Sequence, residues 1–527
     1  MVFQKARATH KPIAASSAFI IFGLIILSSL LSGCMVGPNF KRPIGPSLKT
    51  YKTNGHKPNN SLTAIAQQKL ILGKDIPRQW WTVFRSPQLN QLIEKAIKNN
   101  PNLQAGQAAL AQAQENAFAQ RGALYPSVDA SFKGNRQQVS GAQFGNPSFK
   151  GSVFNLYNAS VQVSYTLDVF GGIRRQIESL KAQAEYQRFQ LEGVFLTLAA
   201  NVVTTAIEEA SLREQIALTE EIIRTREDQL NITRQQFELG TSSKAPLVAQ
   251  QTDLAQLRTT LPTLQQQLAV ARHRLSVLVG DLPTQEEASQ FQLADLTLPD
   301  DVPLSLPSRL VEQRPDIRAQ EAVLHAASAQ IGVVQASILP DFTLNANIGT
   351  IATQVGNLFM PGSLIWSVGG NLLQPIFKGG EFVHKKRAAL ASYQEAAGYY
   401  KNTVLQSFQN VVDVLSALEF DAAQLQAQDN AAQVALENVE LTRQQFQLGA
   451  SSYLPLLDAQ RSYQQIQLGQ IKAKAMRLAD TAALFQALGG GWWNRPEIAA
   501  PTKPIKKTKS AMPWLDPIKE TFQEIQK

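Results

Sequence analysis

Ile232-Thr233-Arg234-Gln235-Gln236-Phe237-Glu238-Leu239-Gly240 returns later in the chain as Leu441-Thr442-Arg443-Gln444-Gln445-Phe446-Gln447-Leu448-Gly449. Each copy is followed by a Ser-Ser pair, beginning at Ser242 and Ser451, and then by Pro246 or Pro455. The offset stays at 209 residues, from Thr233 to Thr442 and from Pro246 to Pro455. Upstream, Pro101 and Pro126 correspond to Pro315 and Pro340, and Gly171-Gly172 corresponds to Gly379-Gly380. Landmarks repeated in one order mean a duplicated module.

Each module follows one plan. A helical run, about 87–122 and 308–337, carries Ala and Gln with spaced Leu and Ile, and ends before a proline. An alternating segment follows: Val128, Ala130 and Phe132 against Ser127, Asp129, Ser131 and Lys133, or Phe342, Leu344, Ala346 and Ile348 against Thr343, Asn345 and Asn347. After a Gly/Asn/Ser/Pro-rich loop a second one comes, with Ala159, Val161, Val163, Tyr165 and Leu167, or Leu364, Trp366, Val368 and Leu372. Period-two alternation predicts strands with one apolar face. About ten residues suits a tilted membrane strand, and equally a half-buried strand of a soluble sheet.

Beyond the glycine pairs, long helices are predicted at about 174–237 and 381–446. Leu191, Phe195, Leu198, Val202, Thr205, Leu212, Ile216, Thr219 and Ile223 keep a four-then-three spacing, as do Val404, Phe408, Val411, Leu415, Leu418, Ala422 and Leu425. That is a coiled-coil-like seam. About 64 residues at 1.5 Å each reach on the order of 95 Å. The Leu-Gly turn reverses the chain, and return helices run to Gly280 and Gly489.

The N-terminus has another logic. Lys5, Arg7 and Lys11 precede an apolar stretch over 13–31, which ends in Leu31-Ser32-Gly33-Cys34. A basic start, an apolar run and small residues at a cleavage point make an export signal; by length alone the run also suits an uncleaved membrane helix. A cysteine in this setting resembles the bacterial lipobox, whose thiol takes a diacylglycerol and becomes the mature N-terminus. The next residue is Met35, where the inner-membrane retention signal of enteric bacteria has aspartate; this implies the outer membrane. The domains are therefore expected as signal peptide 1–33, lipidated tether 34–79, first repeat 80–290 (hairpins 124–170 and 172–280), second repeat 291–490 (hairpins 340–377 and 380–489) and C-terminal extension 491–527.

Composition narrows the function. Without Lys5, Arg7 and Lys11 the net charge of +9 becomes +6, spread along the chain without a basic stripe that would suit nucleic acid. Cys34 is the single cysteine, and the histidines at 10, 56, 273, 325 and 384 are scattered, so no metal site or other cofactor is expected beyond a lipid on Cys34. Serine-hydrolase, phosphate-loop and dinucleotide motifs are absent, which argues against an enzyme. Four strands cannot close a barrel, and open edges in lipid leave backbone groups unpaired, so the chain needs copies of itself.

Several stretches together are similar to the outer-membrane factor family of tripartite efflux pumps, TolC-like and more closely the OprM/NodT-like lipoproteins. They are Leu31–Pro43, Trp80-Trp81 with Phe84, Ser86-Pro87-Gln88-Leu89, Asn100-Pro101-Asn102-Leu103, Tyr165–Gly171, Arg314–Arg318, Gln374-Pro375-Ile376-Phe377 and Leu456–Gln460. The resemblance covers about 20–495. It implies a mixed α and transmembrane β fold: a homotrimer whose twelve strands form one outer-membrane barrel continuous with an α-helical periplasmic tunnel. The implied partners are a periplasmic adaptor, an inner-membrane pump of the RND type and outer-membrane lipid, with no catalytic role. Carried over by motif, Leu454 and Asp458 match the gate, with Ala245 and Ala249 at the corresponding first-copy positions. Pro455 stands where twin-aspartate members have a second acid. A helix-start acid is the plain alternative for Asp458. Arg234, Phe237 and Gly240, with Arg443, Phe446 and Gly449, fall at the tips, for adaptor docking or for tip packing. Protein-secretion or metal-export channels, or a periplasmic coiled-coil scaffold, are the competing readings; only five methionines give little support to a copper or silver relay.

Overall fold

The computed structural model describes residues 35–46, 51, 68–140, 145, 151–284 and 291–495. Cys34, residues 1–33, expected as a signal peptide, and residues 496–527 lie outside them. The chain forms two compact units.

The first unit takes the chain up to Arg42, Gln112–Glu185 and Ala322–Gly398. Its centre is an antiparallel sheet of β2 (Ser127–Val139), β3 (Ser152–Leu167), β5 (Asp341–Ala352) and β6 (Leu364–Leu373), in the order β2-β3-β5-β6. The register aligns the alternation of all four strands. Ala130, Val161, Ile348 and Trp366 form one cross-strand row, and Val128, Val163, Ala346 and Val368 another. The opposite face carries Asp129, Gln162, Asn347 and Ser367. A one-residue slip would mix the faces, so the pattern pins the register. The apolar face is bare: Val128, Phe132, Ile348, Trp366 and Val368 are all more than half exposed.

The second unit takes Pro43–Ala111, Tyr186–Glu321 and the chain from Tyr399 onward. The two helical hairpins are α3 (Gly172–Glu238) with α4 (Lys244–Val279), and α7 (Glu381–Gln447) with α8 (Tyr453–Ala487). Helices α3 and α7 each run 67 residues, about 100 Å. The seam residues Leu191, Phe195, Leu198, Val202, Thr205, Leu212, Thr219 and Ile223 are buried, as are Val404, Val411, Leu418 and Ala422. Trp80, Trp81 and Phe84 enter the same core, with Trp80 stacked on Phe485 at 5.4 Å.

Two expectations are corrected. The first helical runs are not continuous: α1 (Pro87–Asn99) gives way to α2 (Pro101–Arg121), and α5 (Pro307–Gln313) to α6 (Pro315–Ala336). The residue before each proline, Asn100 or Arg314, is forced into extended backbone. The tether is not wholly loose: Lys69–Leu72 (β1) pairs in parallel with Asp301–Leu304 (β4). Four residues are too few for a periodicity to announce them. Pro262 lies inside α4, where it removes one helical hydrogen bond.

The breaks show the duplication in three dimensions. Asn100 Nδ2 donates to Leu278 O at 2.9 Å, and Arg314 Nη1 donates to Ala487 O, also at 2.9 Å. Both acceptors lie at the ends of return helices. Gly280 (φ 84°) and Gly489 (φ 96°) then turn the chain so closely that a Cβ would meet Asn99 O at 2.7 Å or Gln313 O at 2.5 Å. Only glycine fits this conformation at this approach.

Candidate functional site at the hairpin tips

Each tip is built by one device. Gly240 (φ 75°) and Gly449 (φ 72°) adopt the left-handed conformation after α3 and α7. Gly240 N donates to Phe237 O at 3.0 Å and Thr241 N to Gln236 O at 2.9 Å; Gly449 N and Ala450 N repeat this with Phe446 O and Gln445 O at 3.1 and 2.9 Å. The paired bonds satisfy carbonyls that the ending helix leaves free.

The tips differ in their side chains. In the second, the Phe446 ring meets Tyr453 edge-on at 5.5 Å, above buried Leu456 and Leu457. In the first, Lys244 replaces Tyr453 in the repeat, and Phe237 is 39% exposed. The pairing of Phe237 with Phe446 therefore splits: one ring is free to meet a partner and the other packs at home. Arg234 and Arg443 are both exposed. Leu239 and Leu448 project beyond them, 78% and 84% exposed.

Leu454 and Asp458 stand one turn apart at the start of α8, so they share a face. Leu454 is 58% exposed, and the Asp458 side chain 63%. Asp458 Oδ1 lies 3.8 Å from Arg461 Nη1. At this exposure the contact contributes little.

Behind them lies a polar network that motif reading missed. Arg461 Nε donates to Asp253 Oδ1 at 2.6 Å, and Arg226 Nε lies 3.3 Å from Asp253 Oδ2. Arg226 also donates to Gln460 Oε1. Asp253 and Arg226 are buried. The cluster joins α3 and α4 of one hairpin to α8 of the other. Burial pushes the Tyr453 hydroxyl above its ordinary value, opposed by the Arg226 charge. The repeat holds the signal that would have found these residues: Arg226 corresponds to Ala435, Asp253 to Ser462, Gln460 to Gln251 and Arg461 to Thr252. At Arg226, Asp253 and Arg461 the copies disagree, while Gln460 keeps a glutamine counterpart. Among the described residues no group of His, Cys, Asp and Glu is placed to hold a metal ion.

The chain matches the Outer membrane efflux protein family over residues 92–281 and again over 306–490. It is similar to the pyoverdine export outer membrane protein OpmQ of Pseudomonas putida, 31% identical over 79% of this chain and 88% of that one. It is also similar to the toluene efflux pump outer membrane protein TtgC of Pseudomonas putida, 28% identical over 90% of this chain and 96% of that one. In fold it resembles the outer-membrane channel OprN, with a TM-score of 0.78 at 24% identity, covering 87% of this chain and all of that one.

Proposed function

This chain belongs to the outer membrane efflux protein family, and from that premise we infer that it is the outer-membrane channel of a tripartite efflux system. It works passively, taking substrate from an inner-membrane pump and a periplasmic adaptor to the exterior. The observation that carries the reading is the sheet: four strands with one continuous bare apolar face and unpaired edges at β2 and β6. Such a face suits lipid, and such edges in lipid need partners. Three copies supply twelve strands and close one barrel within the bacterial range. The polar face, rich in Asn, Gln and Ser, then lines the water-filled lumen.

The long helices continue each strand pair into the periplasm as a tunnel, buried against one another across copies. Cys34 carries a diacylglycerol, whose acyl chains contribute roughly 0.8 kcal/mol per buried methylene to anchoring. At the periplasmic end, three copies of Leu454 and Asp458 make an apolar ring next to a carboxylate ring, which obstructs polar solutes and favours cations. The network around Asp253 holds the second hairpin against the first and keeps that ring narrow. Arg234, Phe237 and Leu239, with Arg443 and Leu448, offer the adaptor charged and apolar contacts. The cargo is a small organic compound, in line with relatives named for pyoverdine export and toluene efflux. Heat-resistant trimer migration and outer-membrane fractionation test the reading. A monomer that stays with the inner membrane would end it.

A further inference from the structure

In the first unit, a cleft between α3 and α6 holds residues 35–40. Arg175 lies at its floor with its side chain 1% exposed. Its Nε donates to Val36 O at 3.0 Å; its Nη2 donates to Gly37 O at 3.2 Å and to Asn39 Oδ1 at 2.8 Å. Its Nη1 donates to Glu178 Oε2 at 2.7 Å. Val36 N donates to Phe170 O at 3.1 Å, just after β3. Gly37 (φ 94°) lies so close to Gly332 that a Cβ would meet its Cα at 2.4 Å. Phe40 stacks on His325 at 4.4 Å and 15°, and His325 Nε2 lies 2.9 Å from Glu178 Oε1. Burial acts to raise the Glu178 carboxyl, but hydrogen bonds from His325 and Arg175 bring it below its ordinary value.

A buried arginine spent on two main-chain carbonyls and one amide of a terminal segment is a built receptor, since buried charge requires matched partners. The repeat provides a control. Carried across the two copies, Arg175 corresponds to Val383, Gly332 to Phe118 and His325 to Ala111. The counterpart positions, Val383 in the second copy with Phe118 and Ala111 in the first, offer no guanidinium, no glycine and no ring at the stacking position. The repeat does not call for these three residues, so they are particular to this cleft.

We propose that this cleft is the docking site of the mature N-terminus, seating Met35–Phe40 at the strand-to-helix junction so that the lipid on Cys34 enters the bilayer where the strands leave it. The proposal rests on the channel reading above. Anchoring then has two parts: acyl chains supply membrane affinity, and the Arg175 cleft supplies position. Met35 already lies against Gly171, where a Cβ would meet Met35 Cγ at 2.5 Å. That is four residues past the end of β3.

A spin label on Lys41→Cys in the full, lipidated protein tests this, because the Cys34 thiol is consumed by lipid. In nanodiscs the wild-type background should give an immobilised spectrum. Arg175→Gln, and separately Gly37→Val, should shorten the label's correlation time roughly tenfold, into the range of free termini. Trimer migration and single-channel conductance should stay as in the wild type. An immobilised label in both variants with the trimer intact would overturn the proposal. So would loss of the trimer in Gly37→Val, since residues 35–40 would then belong to the assembly's core. If the channel reading itself is wrong, the labelled parent will show neither trimer nor conductance, whatever its spectrum.

Discussion

Replacing Asp253 with alanine leaves two guanidinium groups facing a void. Arg226 has 5% of its side chain exposed and Arg461 has 42%. Arg461 can turn to water, so its loss is small. Arg226 cannot, and removing the partner of a buried charge costs about 3–5 kcal/mol. Taking about 3 kcal/mol as the share acting on the closed tip, the closed-to-open ratio falls on the order of a hundredfold, at 1.4 kcal/mol per tenfold. Opening the tip frees Arg226 to reach water, so the closed state alone bears the cost. Single-channel recording of Asp253→Ala trimers in planar bilayers should show open probability rising by about that factor, with Asp253→Asn in between. An unchanged open probability in a verified trimer would refute the idea that the network holds the tip closed.

Leu454→Ser with Asp458→Asn should raise conductance and lower the cation-to-anion permeability ratio, read from the reversal potential in a salt gradient. Burial, followed by the neighbouring Asp480, raises the Asp421 carboxyl to about 7, with Arg477 opposing. A carboxyl that binds its proton more tightly when folded contributes stability present below 3.8 and lost as pH rises through about 7. Thermal unfolding should therefore come at lower temperature at pH 8 than at pH 5. The difference should be about 2 kcal/mol after discounting for solvent screening at Asp421, and Asp421→Asn should flatten it. Gly489→Ala places a methyl 2.5 Å from Gln313 O at φ 96°, so the melting temperature should drop by several degrees, for a cost of about 2 kcal/mol or more.

The long helices and the strands were legible because their periodicities run for many residues, and the duplication doubled each signal. Ala130, Val161, Ile348 and Trp366 each declare an apolar face from their own neighbours alone. The tips were legible because glycine after a long helix has few other uses. The breaks at Asn100 and Arg314 are hidden: both prolines mark the repeat, yet the helical composition continues on either side of each. The β1–β4 pair was hidden too, since a four-residue strand becomes a strand only when a partner some 230 residues away supplies its hydrogen bonds. Asp253 resembles any solvated acid until Arg226 and Arg461 close on it.

By itself, then, the sequence determined the duplicated plan, the alternating faces and the place of the turns, because each rests on short-range repetition that any window of the chain displays. Tertiary structure alone decided which tip packs its phenylalanine and which exposes it, which carboxylate lies buried between hairpins, and that the N-terminal segment lies in a cleft lined by Arg175, Gly332 and His325. Those outcomes depend on burial and on charges meeting across long stretches of chain, and neither has a local signature.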